Sequence, residues 1–146
     1  MKRTAARKAG VFLLLAAFVF AFAMEAAARQ RFGQIEAEVP AGWTAEESEE
    51  QLTFMAPDKS AALTIMVGDL EGYTLQAVAV GMSRELSGGT PEAVDCGFFF
   101  NFLNEYGVDC QALVTGDEEA GFYMIWIQFG EHPYMDALLE SIEWID

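Results

Sequence analysis

Gly121-Phe122-Tyr123-Met124-Ile125-Trp126-Ile127-Gln128-Phe129 reads as a strand that water cannot cover on either side. Successive side chains of a strand point to opposite faces. Phe122, Met124 and Trp126 therefore lie on one face, and Tyr123, Ile125 and Ile127 on the other. Such a strand belongs in the middle of a sheet with layers on both sides. The segment 90–103 repeats the signal, with Phe98, Phe100 and Phe102 pointing one way and Phe99 and Leu103 the other. It is expected to be a single central strand. Asn104-Glu105-Tyr106-Gly107 has the composition of a hairpin turn and would pair Leu103 with Val108. Residues 108–115 then form the returning strand, and Gly116-Asp117-Glu118-Glu119 the turn into 121–129.

Upstream, residues 35–39, 51–56 and 61–67 alternate apolar and polar positions and predict three more strands. Pro40-Ala41-Gly42-Trp43 and Pro57-Asp58-Lys59-Ser60 supply turns beside them. The period then changes. Leu75, Val78, Ala79, Met82 and Leu86 fall on one face of a helix, with Thr74 as N-cap and Gly88-Gly89 as its left-handed end. Gly81, unfavourable inside a helix by up to about 1 kcal/mol relative to Ala, is expected to let the helix approach the sheet. Pro133 opens a last helix with Tyr134, Leu138, Ile142 and Ile145 inward. The order βββαβββα, joined by hairpin-length connections, predicts an α+β fold with a largely antiparallel sheet of about six strands and helices packed on it.

The N-terminus carries an address. Lys2, Arg3, Arg7 and Lys8 precede an uncharged run over residues 11–24, which ends near Ala26-Ala27-Ala28. This is the layout of a secretory signal peptide, shorter than the roughly 18 apolar residues expected of a membrane span. Residues 1–28 are expected to be removed, with cleavage after Ala23 as the second choice, leaving one domain over 29–146. The expected location is the bacterial periplasm, with membrane contact only through the uncleaved segment. No cysteine follows the apolar run, and no Arg-Arg pair marks the basic segment.

Charge narrows the partners. The whole chain has 8 Lys+Arg and 23 Asp+Glu. Without residues 1–28 it loses four basic residues and one acidic one, which leaves 4 against 22 and a formal charge of −18. Such a chain repels phosphate backbones and anionic lipid, so nucleic acid is excluded as a partner. A basic envelope protein fits, and a monomer is expected. Cys96 and Cys110 are expected to be unpaired. The hairpin register offsets them by five residues, roughly 17 Å at about 3.3 Å per residue, against a limit of about 7 Å between bridged Cα atoms.

No catalytic, cofactor or metal-binding set emerges, and no cofactor is expected. His132 is the only histidine and reads as a residue of the last helix's cap region. Ser60, Ser83, Ser87 and Ser141 sit in turns or helices without a nucleophile elbow. Cys96 and Cys110 lack a nearby cation that would lower a thiol pKa. Glu46-Glu47-x-Glu49-Glu50 and Asp117-Glu118-Glu119 are acidic without the spacing of a dedicated calcium loop. Trp43, Phe98 to Phe100, Phe102, Tyr123 and Trp126 read as core rather than as a ligand cage.

Several short pieces together resemble the PsbP/DcrB-like superfamily. They are Val39-Pro40-Ala41-Gly42-Trp43, Phe54-x-Ala56-Pro57-Asp58-x-Ser60-Ala61-x-Leu63-x-Ile65, Tyr106-Gly107 and Ser141-Ile142-Glu143-Trp144. That superfamily also includes a nuclear-transport protein that binds the GTPase Ran. The resemblance implies a PsbP-like α+β sandwich and a binding or accessory role rather than catalysis. It brings no binding residue with it. The function expected from the sequence is an exported, non-catalytic binding module. The alternatives are a small periplasmic hydrolase using carboxylates or a Cys, and a weak divalent-cation binder.

Protein recovered from the periplasm should begin at Arg29 or, by the second cleavage site, at Met24. N-terminal sequencing that finds Met1 retained in the membrane fraction would make the segment an anchor instead.

Overall fold

The computed structural model describes residues 28–145, so the basic and apolar segment over 1–27, with the second-choice cleavage site after Ala23, lies outside the described residues. The elements run β1 (Ala28–Phe32), β2 (Ile35–Val39), β3 (Thr44–Glu47), β4 (Gln51–Met55), β5 (Ala61–Asp69), α1 (Leu75–Leu86), β6 (Glu92–Val94), β7 (Gly97–Leu103), β8 (Asp109–Asp117), β9 (Phe122–Gly130), α2 (Met135–Ser141) and β10 (Glu143–Trp144). The fold is α+β. One sheet has the strand order β3-β4-β5-β9-β8-β7-β6 and the other β1-β2-β10. The chain divides into two compact units. One comprises residues 46–53 and 61–130; the other comprises the described residues up to 45, with 54–60 and 131–145.

In the larger unit, β9 is central, paired antiparallel with β5 on one side and β8 on the other. Ile125 is buried on the α1 side of this strand, whereas Phe122 and Trp126 on the other face are half-buried. Helix α1 covers one face. Ala79 on the helix, with Phe100, Phe102, Cys110, Ala112, Val114 and Ile125 on the strands, forms a single buried cluster. Leu75, Val78, Met82 and Leu86 pack against that cluster from the helix, which is the stripe its 3.6-residue period presents. Thr74 caps the helix as expected, its Oγ1 accepting the Ala77 N–H at 3.0 Å.

Four expectations are corrected here. The segment 90–103 is two strands, because Asp95 and Cys96 turn the chain and β6 folds back on β7, pairing Glu92 with Phe99. The face of β7 that carries Phe99 and Leu103 is not buried: Leu103 is 62% exposed, whereas Phe100 on the helix side is 2% exposed. The left-handed residue ending α1 is Ser87, with φ 56°, and not Gly88 or Gly89. Gly81 faces open space rather than the sheet, since a Cβ there would meet nothing within 4 Å. The close approach falls at Gly88, where a Cβ would come within 2.9 Å of the Asn101 carbonyl oxygen and the Phe100 ring.

The β7–β8 register also differs by one residue. Leu103 pairs with Asp109, and Phe102 with Cys110. Asn104 is the cause. Its Oδ1 accepts the Tyr106 and Val108 N–H groups at 2.8 and 2.9 Å, while its own N–H donates to the Val108 carbonyl. The side chain thus draws Val108 into the loop.

In the smaller unit, β1 pairs with β2 from Ala28–Val39 to Phe32–Ile35. Arg29 holds this sheet electrostatically. Its guanidinium lies 2.9 Å from Glu36, 2.9 Å from Glu143 and 3.9 Å from Glu38, and it donates to the Ser141 carbonyl. Ser141 is buried and fully used, accepting the Glu38 N–H and donating to the Leu138 carbonyl, each at 2.8 Å. Helix α2 is shorter than expected. Met135 and Leu138 are its buried residues along with Ser141, while Tyr134 is exposed and Ile142 already has extended backbone leading into β10.

Phe100→Ala should lower unfolding stability by about 3–5 kcal/mol, the range for a large aromatic removed from a packed core. Leu103→Ala, on the opposite face of the same strand, should fall within about 0.5 kcal/mol of the parent, as surface changes do. Equal losses in urea melts of the two variants would refute the assignment of their faces.

Candidate functional site

Each chemically capable side chain is held by a local reason. His132, half-buried, accepts the Tyr134 N–H on its Nδ1 at 3.1 Å, so it does serve the entry to α2. Its ring stands edge-on to Trp43 with centroids 5.2 Å apart, and is tilted against Tyr134 at 5.4 Å. Trp43 is 7% exposed, and its Nε1–H has no hydrogen-bond partner among the described residues. Asp58 belongs to the same unit. The Ser60 hydroxyl donates to its Oδ1 at 2.6 Å and the Ser60 N–H at 3.0 Å. Those bonds hold the Asp58 carboxyl below its ordinary pKa. The arrangement is a turn stabilised by its own side chain, the usual behaviour of Asp at such positions. Ser60 is thereby committed to the turn.

The remaining serines are equally occupied or remote. Ser83 is buried in α1 and donates to the Gly89 carbonyl at 2.6 Å, fixing the path that leaves the helix. Ser87 is the exposed left-handed cap, and Ser141 ties α2 to β2. The Ser83 and Ser141 hydroxyls donate to backbone carbonyls, the Ser60 hydroxyl to the Asp58 carboxylate of its own turn, and none of the three to His132.

The acidic turn has a role that its composition did not disclose. Asp117 Oδ1 accepts the N–H groups of Glu119 and Ala120, and Glu118 Oε2 accepts the Leu75 N–H at 2.8 Å. Glu118 thus sits at the N-terminus of α1, where unpaired backbone donors and the helix dipole favour a negative group. The two residues lie 43 positions apart, so no local motif points to the pair. The other acidic run straddles β3 and the turn into β4. Among the described residues, no three His, Cys, Asp or Glu side chains converge as metal ligands would.

Both cysteines are unpaired. Cys96 is exposed in the β6–β7 turn, and Cys110 is buried on β8. Burial raises the Cys110 thiol above its ordinary pKa, and the neighbouring Asp109 charge raises it further. Its Sγ–H points to the Val108 carbonyl at 3.5 Å. Cys110 is therefore a small core hydrophobe and Cys96 the accessible thiol. Of the aromatics expected in the core, Trp43, Phe100 and Phe102 are buried, whereas Phe98, Phe99, Tyr123 and Trp126 are half-buried. Trp126 donates from Nε1 to Thr115 Oγ1 at 3.1 Å. Among the described residues, no helix is long and apolar enough to cross a membrane.

No protein-family model matches the chain, and no curated protein matches it. Solved structures do. The Saccharomyces cerevisiae Ran-binding protein Mog1p aligns with a TM-score of 0.53 at 10% identity, over 82% of this chain and 96% of Mog1p. A point mutant of Mog1 gives the same values. A Bacteroides thetaiotaomicron protein aligns at 18% identity with a TM-score of 0.45, over 77% of this chain and 46% of its own. At such identities the likeness is one of fold, a Mog1/PsbP-like sandwich.

Alkylation of the native protein should modify Cys96 alone, with Cys110 reacting only after denaturation. Intact-mass measurement distinguishes one adduct from two or none; rapid native modification of Cys110 would contradict its burial.

Proposed function

We propose that the chain is an exported, non-catalytic binding module of the PsbP/DcrB-like superfamily, forming one domain over 29–146 and working in the bacterial periplasm on a basic protein partner. The observation that carries this reading is the distribution of charge. Residues 46–53 and 61–130 contain fourteen carboxylates and one cation, Arg84. Few of those carboxylates are absorbed by structure; Asp117 and Glu118, which cap backbone donors, are the clearest exceptions. A unit so biased attracts cationic surfaces at long range and rejects anionic ones. Support also comes from the fold, since Mog1p is described as a Ran-binding protein and therefore uses this architecture to hold another protein. The basic and apolar order of residues 1–28 supports export.

A hydrolase would need a nucleophile or paired carboxylates aimed at one point together with a base. His132, Ser60, Ser83, Ser141 and Cys110 are committed to the structural contacts described above, which favours binding over catalysis.

Affinity capture of the tagged protein from envelope extract, at low and at high salt, tests the proposal. A single basic protein recovered at low salt and lost at high salt is expected, because screening shortens to about 8 Å at physiological ionic strength. Recovery of the same partner undiminished at high salt would show that charge is not the basis of recognition.

A further inference from the structure

The face of the larger unit's sheet that α1 does not cover carries an apolar row with an acidic margin. The strand registers align Glu92, Phe99, Leu113 and Trp126 side by side across β6, β7, β8 and β9. Opposed residues of an antiparallel pair share a face, so these four side chains project together. Phe99, Leu113 and Trp126 are half-buried. On the same face Val94 is 42% and Leu103 62% exposed. Glu92 and Asp109, which pair with Phe99 and Leu103, are both exposed. Arg84, the unit's only cation, is on α1, which packs on the opposite face.

We infer that this face is the docking surface for a basic amphipathic helix of the partner protein, an inference that rests on the binding-module reading and gives it a location. The spacing fits. Neighbouring strands lie about 4.8 Å apart, close to the roughly 5.4 Å rise of one helical turn. A helix laid across the strands can therefore place successive i, i+3/i+4 and i+7 apolar side chains over Phe99, Leu113 and Trp126. Its flanking Lys or Arg residues would then meet Glu92 and Asp109. A second copy of this chain is the wrong occupant, because self-docking would bring those carboxylates together with no cation on either side. Phosphate-bearing partners are repelled for the same reason.

The test uses two labelled 18-residue peptides of identical Leu/Lys composition. One has Leu at helical spacing and the other is scrambled; each is titrated into the full-length chain at low salt. The helical peptide should bind at least tenfold more tightly than the scrambled one. The double variant Val94→Ser/Leu103→Ser should remove most of that difference. Both positions are substantially exposed, so circular dichroism and thermal melting should show an unchanged fold, and a Tyr73→Ser variant, exposed elsewhere, should bind like the parent. Amide shift mapping supplies an independent readout and should centre on β6–β8. Equal binding of both peptides, or binding indifferent to the double variant, overturns the surface and leaves the basic-partner reading standing. Failure of both peptides to bind at low salt overturns both. Concentration-dependent self-association abolished by the double variant would assign the face to a second copy, and release of a block to peptide binding on removal of residues 1–27 would assign it to the chain's own N-terminal segment; either result overturns the inference.

Discussion

The close seating of α1 on β7 and β8 is the constraint from which the larger unit is built. Ala79 on the helix and Ala112 on the sheet are both fully buried, in one cluster with Phe100, Val114 and Ile125. Small residues at the contact let the backbones approach, and the large side chains around them fill the volume that remains, as close-packed interiors require. The helix must also start and stop at set places for this contact to form. Thr74 and Glu118 supply acceptors at its first turn; Ser83, Ser87 and Gly88 turn the chain out at its last. Gly89 then donates to the Asn101 carbonyl on β7, so the exit is bonded directly to the strand that the helix covers.

Periodicity made the core of this arrangement legible. The α1 stripe, the helix-facing Phe98, Phe100 and Phe102, and the central place of β9 all follow from where apolar residues recur. What periodicity cannot show is where pairing stops. Residues 92–94 and 97–103 read as one run because Asp95 and Cys96 interrupt the alternation for only two positions. β1 and β10 have little alternation to read; they are tied together by Arg29, which gathers Glu36 and Glu38 with the sequence-distant Glu143. Gly81 is ambiguous in sequence because a glycine in a helix has two explanations, close packing or solvent exposure, and only the contact geometry separates them.

The chemistry was harder to read than the fold, for a physical reason. A site made of one histidine or one thiol has a recognisable residue type, whereas a surface made of ordinary Phe, Leu and Val becomes visible only when strand registers say which of them share a face. Phe99 and Leu113 are fourteen positions apart, and neither is unusual alone. Sequence reading placed both faces of β7 in the core. The structure divides them, and that division leaves the row of Phe99, Leu113 and Trp126 half-buried on the face opposite α1.

A partly exposed apolar sheet face is hazardous for a protein unless something opposes self-association. Here the edges and the face share one device. The seven-stranded sheet ends in β3, Thr-Ala-Glu-Glu, and β6, Glu-Ala-Val, both short and both acidic. Short, charged edge strands discourage edge-to-edge pairing, because two copies would align like charges. Glu92 belongs to the β6 edge and to the margin of the open face at once. A carboxylate in that position opposes a second copy along the edge and across the face, yet it leaves both open to a cationic partner. On the proposed reading, solubility and recognition need not divide the chain's acidity between them: the carboxylates that oppose a second copy are those a basic partner would meet.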